Sequence, residues 1–267
     1  MAFLNIEIVL HLVALGVLAQ QTLDVTLPWS WHGIVPLVAW SVYTLDRVID
    51  VRSAKQQQRG GRHAFAARYQ RTLVISAGIA VSVAVVTAVL AAPVWYWLVG
   101  ISLGLLTLMH VVLQRCRPTW TAIAKDLNVA VVFTASAWTI PWAMALDSSH
   151  AAPGPDAYLT SAASLMTVML NVLLLSRLDA AEDAALNLPS IATRLGSRDT
   201  VRLAMVLAAC TIVTAILATL YGAPTRRCAV FGLIALVYLH SLHWPSRRIE
   251  RTRLVLELVG SLVILAA

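Results

Sequence analysis

Four aspartates stand in two pairs of identical spacing: Asp46 and Asp50 in "YTLDRVID", Asp179 and Asp183 in "SRLDAAEDAA". Each pair closes an apolar stretch, and residues four apart on a helix project from one face, so each pair presents two carboxylates in one direction. Two such pairs facing each other repel, and at the edge of a low-dielectric region they require a cation between them. Mg2+ meets that demand. It takes oxygen ligands in octahedral geometry, keeps some waters, and is commonly held by one or two carboxylates together with phosphate oxygens. The spacing therefore points to a Mg2+-bridged diphosphate. A single pair is more simply a solvated helix end matched by Arg47, Arg52 or Arg177; its repetition on one side of the chain favours the metal.

The elements that must position these acids lie in lipid. Of 267 residues, 59% are hydrophobic and only 12% charged, about half the charge of an ordinary soluble domain. Apolar runs punctuated by charge, Pro and Gly predict nine transmembrane helices in one all-α domain, residues 1–267, at roughly 3–20, 30–50, 70–91, 94–114, 121–145, 157–180, 200–221, 226–243 and 250–266. Every Lys and Arg except Arg226 and Arg227 then falls in alternate loops, the last of these running from Arg247 to Arg253. Basic loops stay cytoplasmic. The expected placement is a bacterial-type inner or plasma membrane, with the N-terminus cytoplasmic, the C-terminus outside, and both aspartate pairs at the cytoplasmic ends of even-numbered helices.

The net charge of +7 is explained by basic loops against anionic headgroups, and nucleic acid is not needed as a partner. Cys116, Cys210 and Cys228 are scattered without metal or redox spacing. Glu7 stands where a secretory signal would carry positive charge, so the run from Ile8 to Ala19 reads as a retained first helix. His11 and His240 are isolated and read as packing residues.

At this point the chain resembles the UbiA superfamily of intramembrane prenyltransferases. That family has nine helices, an NxxxDxxxD motif after helix two, a DxxxD after helix six and a basic lead-in to helix five; here "VYTLDRVID", "DAAED" and "QRCRPTWTAIAKDLN" are similar to these. The resemblance implies a bundle with a central cavity open to the cytoplasmic side, Mg2+ as cofactor and an isoprenyl diphosphate as substrate. It makes Asp46, Asp50, Asp179 and Asp183 the metal-binding and catalytic acids, Arg115, Arg117 and Lys125 diphosphate contacts alongside Arg47, and Asn128 a pocket residue. The sequence departs from the pattern at Val42, where the family has Asn, and at "AALNLPS", where the family continues with Gly, a basic residue and Thr. The loop "RSAKQQQRGGRHAFAARYQR" offers a compensating lid through Arg62, His63 and Arg68, and reads equally as a solvated basic loop.

In such a site the departing pyrophosphate is stabilised by Mg2+ and basic residues, and the allylic cation left behind requires aromatic faces. Trp40, Tyr43, Trp138 and Trp142 are candidates for that wall. Asn171, eight residues before Asp179 on nearly the same helical face, is a candidate cavity residue. Two reactions fit: prenyl transfer to an acceptor, or class I terpene cyclisation. With no Lys or Arg before Arg47, a carboxylate acceptor lacks a partner, which favours a neutral acceptor or cyclisation. A cation- or proton-binding transporter or scaffold is the reading from outside enzymology, opposed by the position of the acids at helix ends.

Overall fold

The computed structural model describes residues 5–53, 61–115, 119–147, 152–185, 190–244 and 249–267. Among them run ten α-helices and no strand: α1 (Ile6–Thr22), α2 (Trp29–Ser53), α3 (Gly61–Arg68), α4 (Gln70–Ala91), α5 (Val94–Arg115), α6 (Thr119–Asp147), α7 (Pro155–Ala185), α8 (Ile191–Leu220), α9 (Thr225–Ser241) and α10 (Ile249–Ser261), closed by a 3-10 turn, Leu262–Ala266. Four stretches are long and apolar enough to cross a bilayer: Gln70–Ala91, Ile123–Asp147, Pro155–Ala181 and Ile191–Leu220. A 22-residue helix such as α4 rises about 33 Å, which matches a hydrocarbon core of about 30 Å. This is an all-helical membrane protein.

Two kinds of helix surface follow from the sequence. On α4, Ile75, Ile79, Val86, Val89 and Leu90 are exposed, as expected of a face against lipid tails, while Leu73, Ala77, Ala80 and Ala84 turn inward. The inward residues are mostly small and recur at helical spacing, which lets α4 lie close along α2. Ser41 of α2 marks the contact: its hydroxyl donates to Leu37 O at 2.7 Å and to Ala77 O at 3.3 Å. The longest seam joins α7 to α8. On α8 the buried stripe is Thr200, Ala204, Ala208, Thr211 and Ala215. On α7 the hydroxyls of Thr160, Ser164 and Thr167 are buried and donate to carbonyls one turn back, so they leave no polar demand in the seam.

Two helical segments lie where the sequence predicts loops. α3 forms within the basic stretch after helix two, and its Ala66 packs with Val48 and Val51 of α2 and Leu73 of α4. The second is the start of α8. Ser190 caps it in a reciprocal box with Thr193, and the chain then kinks at Gly196, whose φ of 76° and ψ of 168° suit glycine alone. Gly196→Ala should destabilise the protein by about 1–3 kcal/mol, read as a lower unfolding temperature in detergent; an unchanged temperature would mean the kink has relaxed.

Candidate functional site

The acids are brought toward α10. Asp179, on α7, forms an ion pair with Arg253 of α10, whose side chain is 3% exposed against 24% for Asp179. The sequence places Arg253 at the start of the last helix and counts it with the basic cytoplasmic side; its side chain is instead buried, its charge met by Asp179. One turn further along α10 is Glu257, also buried, on the same helical face as Arg253. The carboxylates of Glu257 and Asp46 both lie within electrostatic reach of Tyr43. α10 thus carries, one turn apart, the partner of the second aspartate motif and an acid that shares a tyrosine with the first.

The other expected residues fall as follows. Asp46 and Arg47 are half-buried on α2, Asp183 is half-buried on α7, and Trp40 is partly buried. The side chains of Asp50, Arg62, His63 and Arg115 lie outside the described residues, as does Arg117 altogether. Arg68 stacks on the ring of its neighbour Tyr69, 5.5 Å from the centroid. Arg177 donates to Leu242 O at 3.3 Å, joining α7 to the end of α9.

Lys125 lies 3.6 Å from Asp126, and Asp126 has its own task. Buried near the start of α6, it accepts a hydrogen bond from Ile191 N at 2.9 Å, while Ser176 accepts from Ala192 N at 3.2 Å. Free amides at a helix start are satisfied by such acceptors, so α6 and α7 together hold the first turn of α8. Asp126→Ala should cost about 1.5–3 kcal/mol, the usual range for a hydrogen bond to a charged group; thermal unfolding at wild-type temperature would deny the cap this weight.

Asn128 is buried and donates to Leu106 O at 2.9 Å, a bond between α6 and α5. Trp142 donates to Ser161 Oγ at 3.1 Å and stacks beside Tyr158 at 4.5 Å, so it faces α7. Trp138 and Asn171 are buried, each with a side-chain polar atom, Nε1 and Oδ1, that has no hydrogen-bond partner. Tyr43 meets Phe133 of α6 edge-on at 6.3 Å, and Phe133 meets His11 of α1 at 5.2 Å. Phe133, His11, Glu7, Arg253 and Glu257 are absent from the sequence-based site. A usable signal existed: Glu7 with His11 and Arg253 with Glu257 are polar pairs at i and i+4 within otherwise apolar segments.

As a place for a divalent cation, the site supplies carboxylate oxygens, the ligands Mg2+ prefers. Among the described residues no three His, Cys, Asp or Glu side chains stand close enough to hold an ion unaided. A metal here is consistent with one or two of the aspartates completed by phosphate oxygens and water, as Mg2+ is ordinarily bound. Compared with known protein families, curated proteins and solved structures, the chain matches none.

Proposed function

We infer that this chain is a Mg2+-dependent intramembrane enzyme of the UbiA type that ionises an isoprenyl diphosphate and transfers the prenyl group to a neutral or lipophilic acceptor. In this reading the nine helices other than α3 all cross the membrane, the aspartate motifs open on the cytoplasmic side, and the prenyl chain lies between helices. The observation that carries it is the Asp179–Arg253 ion pair, with Glu257 one turn along α10, together with an aromatic line that starts at Tyr43, one turn before Asp46, and runs through Phe133 to His11. A charged end joined to an aromatic interior is what a diphosphate with an apolar, cation-forming tail requires.

Asp46 and Asp179, with Asp50 and Asp183 one turn on, are the residues to hold Mg2+, which when bound supplies charge stabilisation to the leaving pyrophosphate. Asp179 neutralises Arg253 before substrate arrives, so a buried guanidinium is never left without an anion. Tyr43 and Phe133 offer ring faces to the developing positive charge. Arg47 and Lys125 remain candidates for the diphosphate.

Class I cyclisation is the second reading, favoured by the character of α1: its buried polar side chains, Asn5, Glu7 and His11, include no Lys or Arg for an acidic acceptor. The test for both is to incubate purified protein with Mg2+ and farnesyl or geranylgeranyl diphosphate, with and without lipid extract, and to measure pyrophosphate and extracted products. A prenylated compound supports transfer and a hydrocarbon supports cyclisation. Absence of pyrophosphate release at every chain length would defeat both.

A further inference from the structure

The seam between α1 and α10 is polar on both sides. Glu7 and His11 share one face of α1, and Arg253, Glu257 and Gly260 share one face of α10. The helices pack along each other, and at Gly260 the approach is so close that a Cβ would collide with the His11 ring. His11 is 3% exposed and, among the described residues, its Nε2 has no hydrogen-bond partner; Glu7 is 2% exposed and, among the same residues, neither carboxylate oxygen has one. Polar atoms left in this state inside a membrane protein call for a ligand or a reaction. His11 is also the inner end of the aromatic line from Tyr43 through Phe133.

Resting on the reaction inferred above, we propose that His11 is the base that removes the proton ending the carbocation sequence, with Glu7 holding the imidazolium that results. The diphosphate has already left with the electron pair of the C–O bond. A C–H bond next to the cationic carbon then breaks, its electrons form the C=C bond that quenches the charge, and the proton passes to Nε2. In transfer to an aromatic carbon the same step restores the ring. Nε2 must carry the lone pair, which places the ring's proton on Nδ1. Glu7 stands one turn before His11 on the same helical face, the ring meets Phe133 edge-on at 5.2 Å, and its other side lies against Gly260 of α10. A carboxylate one turn away is positioned to stabilise an imidazolium formed by proton transfer.

The experiment uses full-length protein with Mg2+ and geranylgeranyl diphosphate, with and without lipid extract, and reads pyrophosphate and organic products separately. In His11→Gln, pyrophosphate release slows but persists, while deprotonated product per pyrophosphate falls on the order of 100-fold, within the range of a lost general base, and prenyl alcohol from water capture takes its place. Glu7→Gln shifts the same ratio in the same direction by less. If His11→Gln is lost during extraction, His11→Phe fills the same notch without a nitrogen and carries the same expectation. A product ratio equal to wild type in either His11 variant overturns the proposal and leaves pyrophosphate release intact as evidence for the reaction. No release from wild-type protein removes the reaction, and the base with it.

Discussion

Asp179→Asn should abolish pyrophosphate release and also unfold the protein at markedly lower temperature. The side chain of Arg253 is 3% exposed and is paired with Asp179. Removing the carboxylate charge strands a guanidinium in the bundle, and breaking a buried ion pair from one side costs about 3–5 kcal/mol; the partial exposure of Asp179 argues for the lower end. From the sequence alone this substitution looks neutral to folding, so the two effects separate the structural reading from the simpler one. Their separation can be measured. In Asp179→Asn/Arg253→Met both charges are gone, and stability should return to within about 1–2 kcal/mol of wild type as coupled effects cancel, while turnover stays lost. Recovery of turnover in the double variant would take Asp179 out of the metal site.

Asp46→Asn should be the cleaner loss of activity. Asp46 is half-buried, and a partly exposed carboxylate is neutralised at smaller cost than the partner of a guanidinium that is 3% exposed. Its unfolding temperature should therefore fall less than that of Asp179→Asn. Pyrophosphate release should drop on the order of 10³-fold or more, since a metal's charge stabilisation is worth several kcal/mol and each 1.36 kcal/mol is tenfold. Raising Mg2+ concentration should recover part of the rate if the loss is one of metal affinity. Turnover within threefold of wild type at low Mg2+ would show that Asp46 contributes no ligand.

The helical character of the chain was legible because membrane helices announce themselves by length and apolarity; α4 and the core of α7 lie where the sequence puts them. The turn of helix from Ile191 to Leu195 carries a local cap in Ser190 and Thr193, but its first two amides are held by acceptors remote in sequence, Asp126 and Ser176, which no local pattern encodes. α3 was hidden in the same way: its anchor is Ala66 packed on Val48 and Val51, within a segment whose charges read as loop. At the site, spacing alone is what pairs Asp46 with Asp179 in the reading proposed here. It could not identify Arg253, since an arginine at a helix start near the membrane edge is ordinarily assigned to the basic loop, and only its tertiary partner reveals that it points inward. For His11 the sequence reading erred on satisfaction: an isolated histidine in an apolar helix usually finds a partner, and here Nε2 has none.

The meeting of α1 with α10 also bears on assembly. On the nine-span reading proposed above, the helix bearing Glu7 and His11 enters the bilayer before the glycine notch that receives the imidazole and the arginine that answers Asp179 are made. Until then three ionisable side chains stay in lipid without their final neighbours, an expensive interim. Because α1 packs against α10, far along the chain, commitment to the fold waits on α10, and on that reading a chain halted before α10 should be a substrate for membrane quality control.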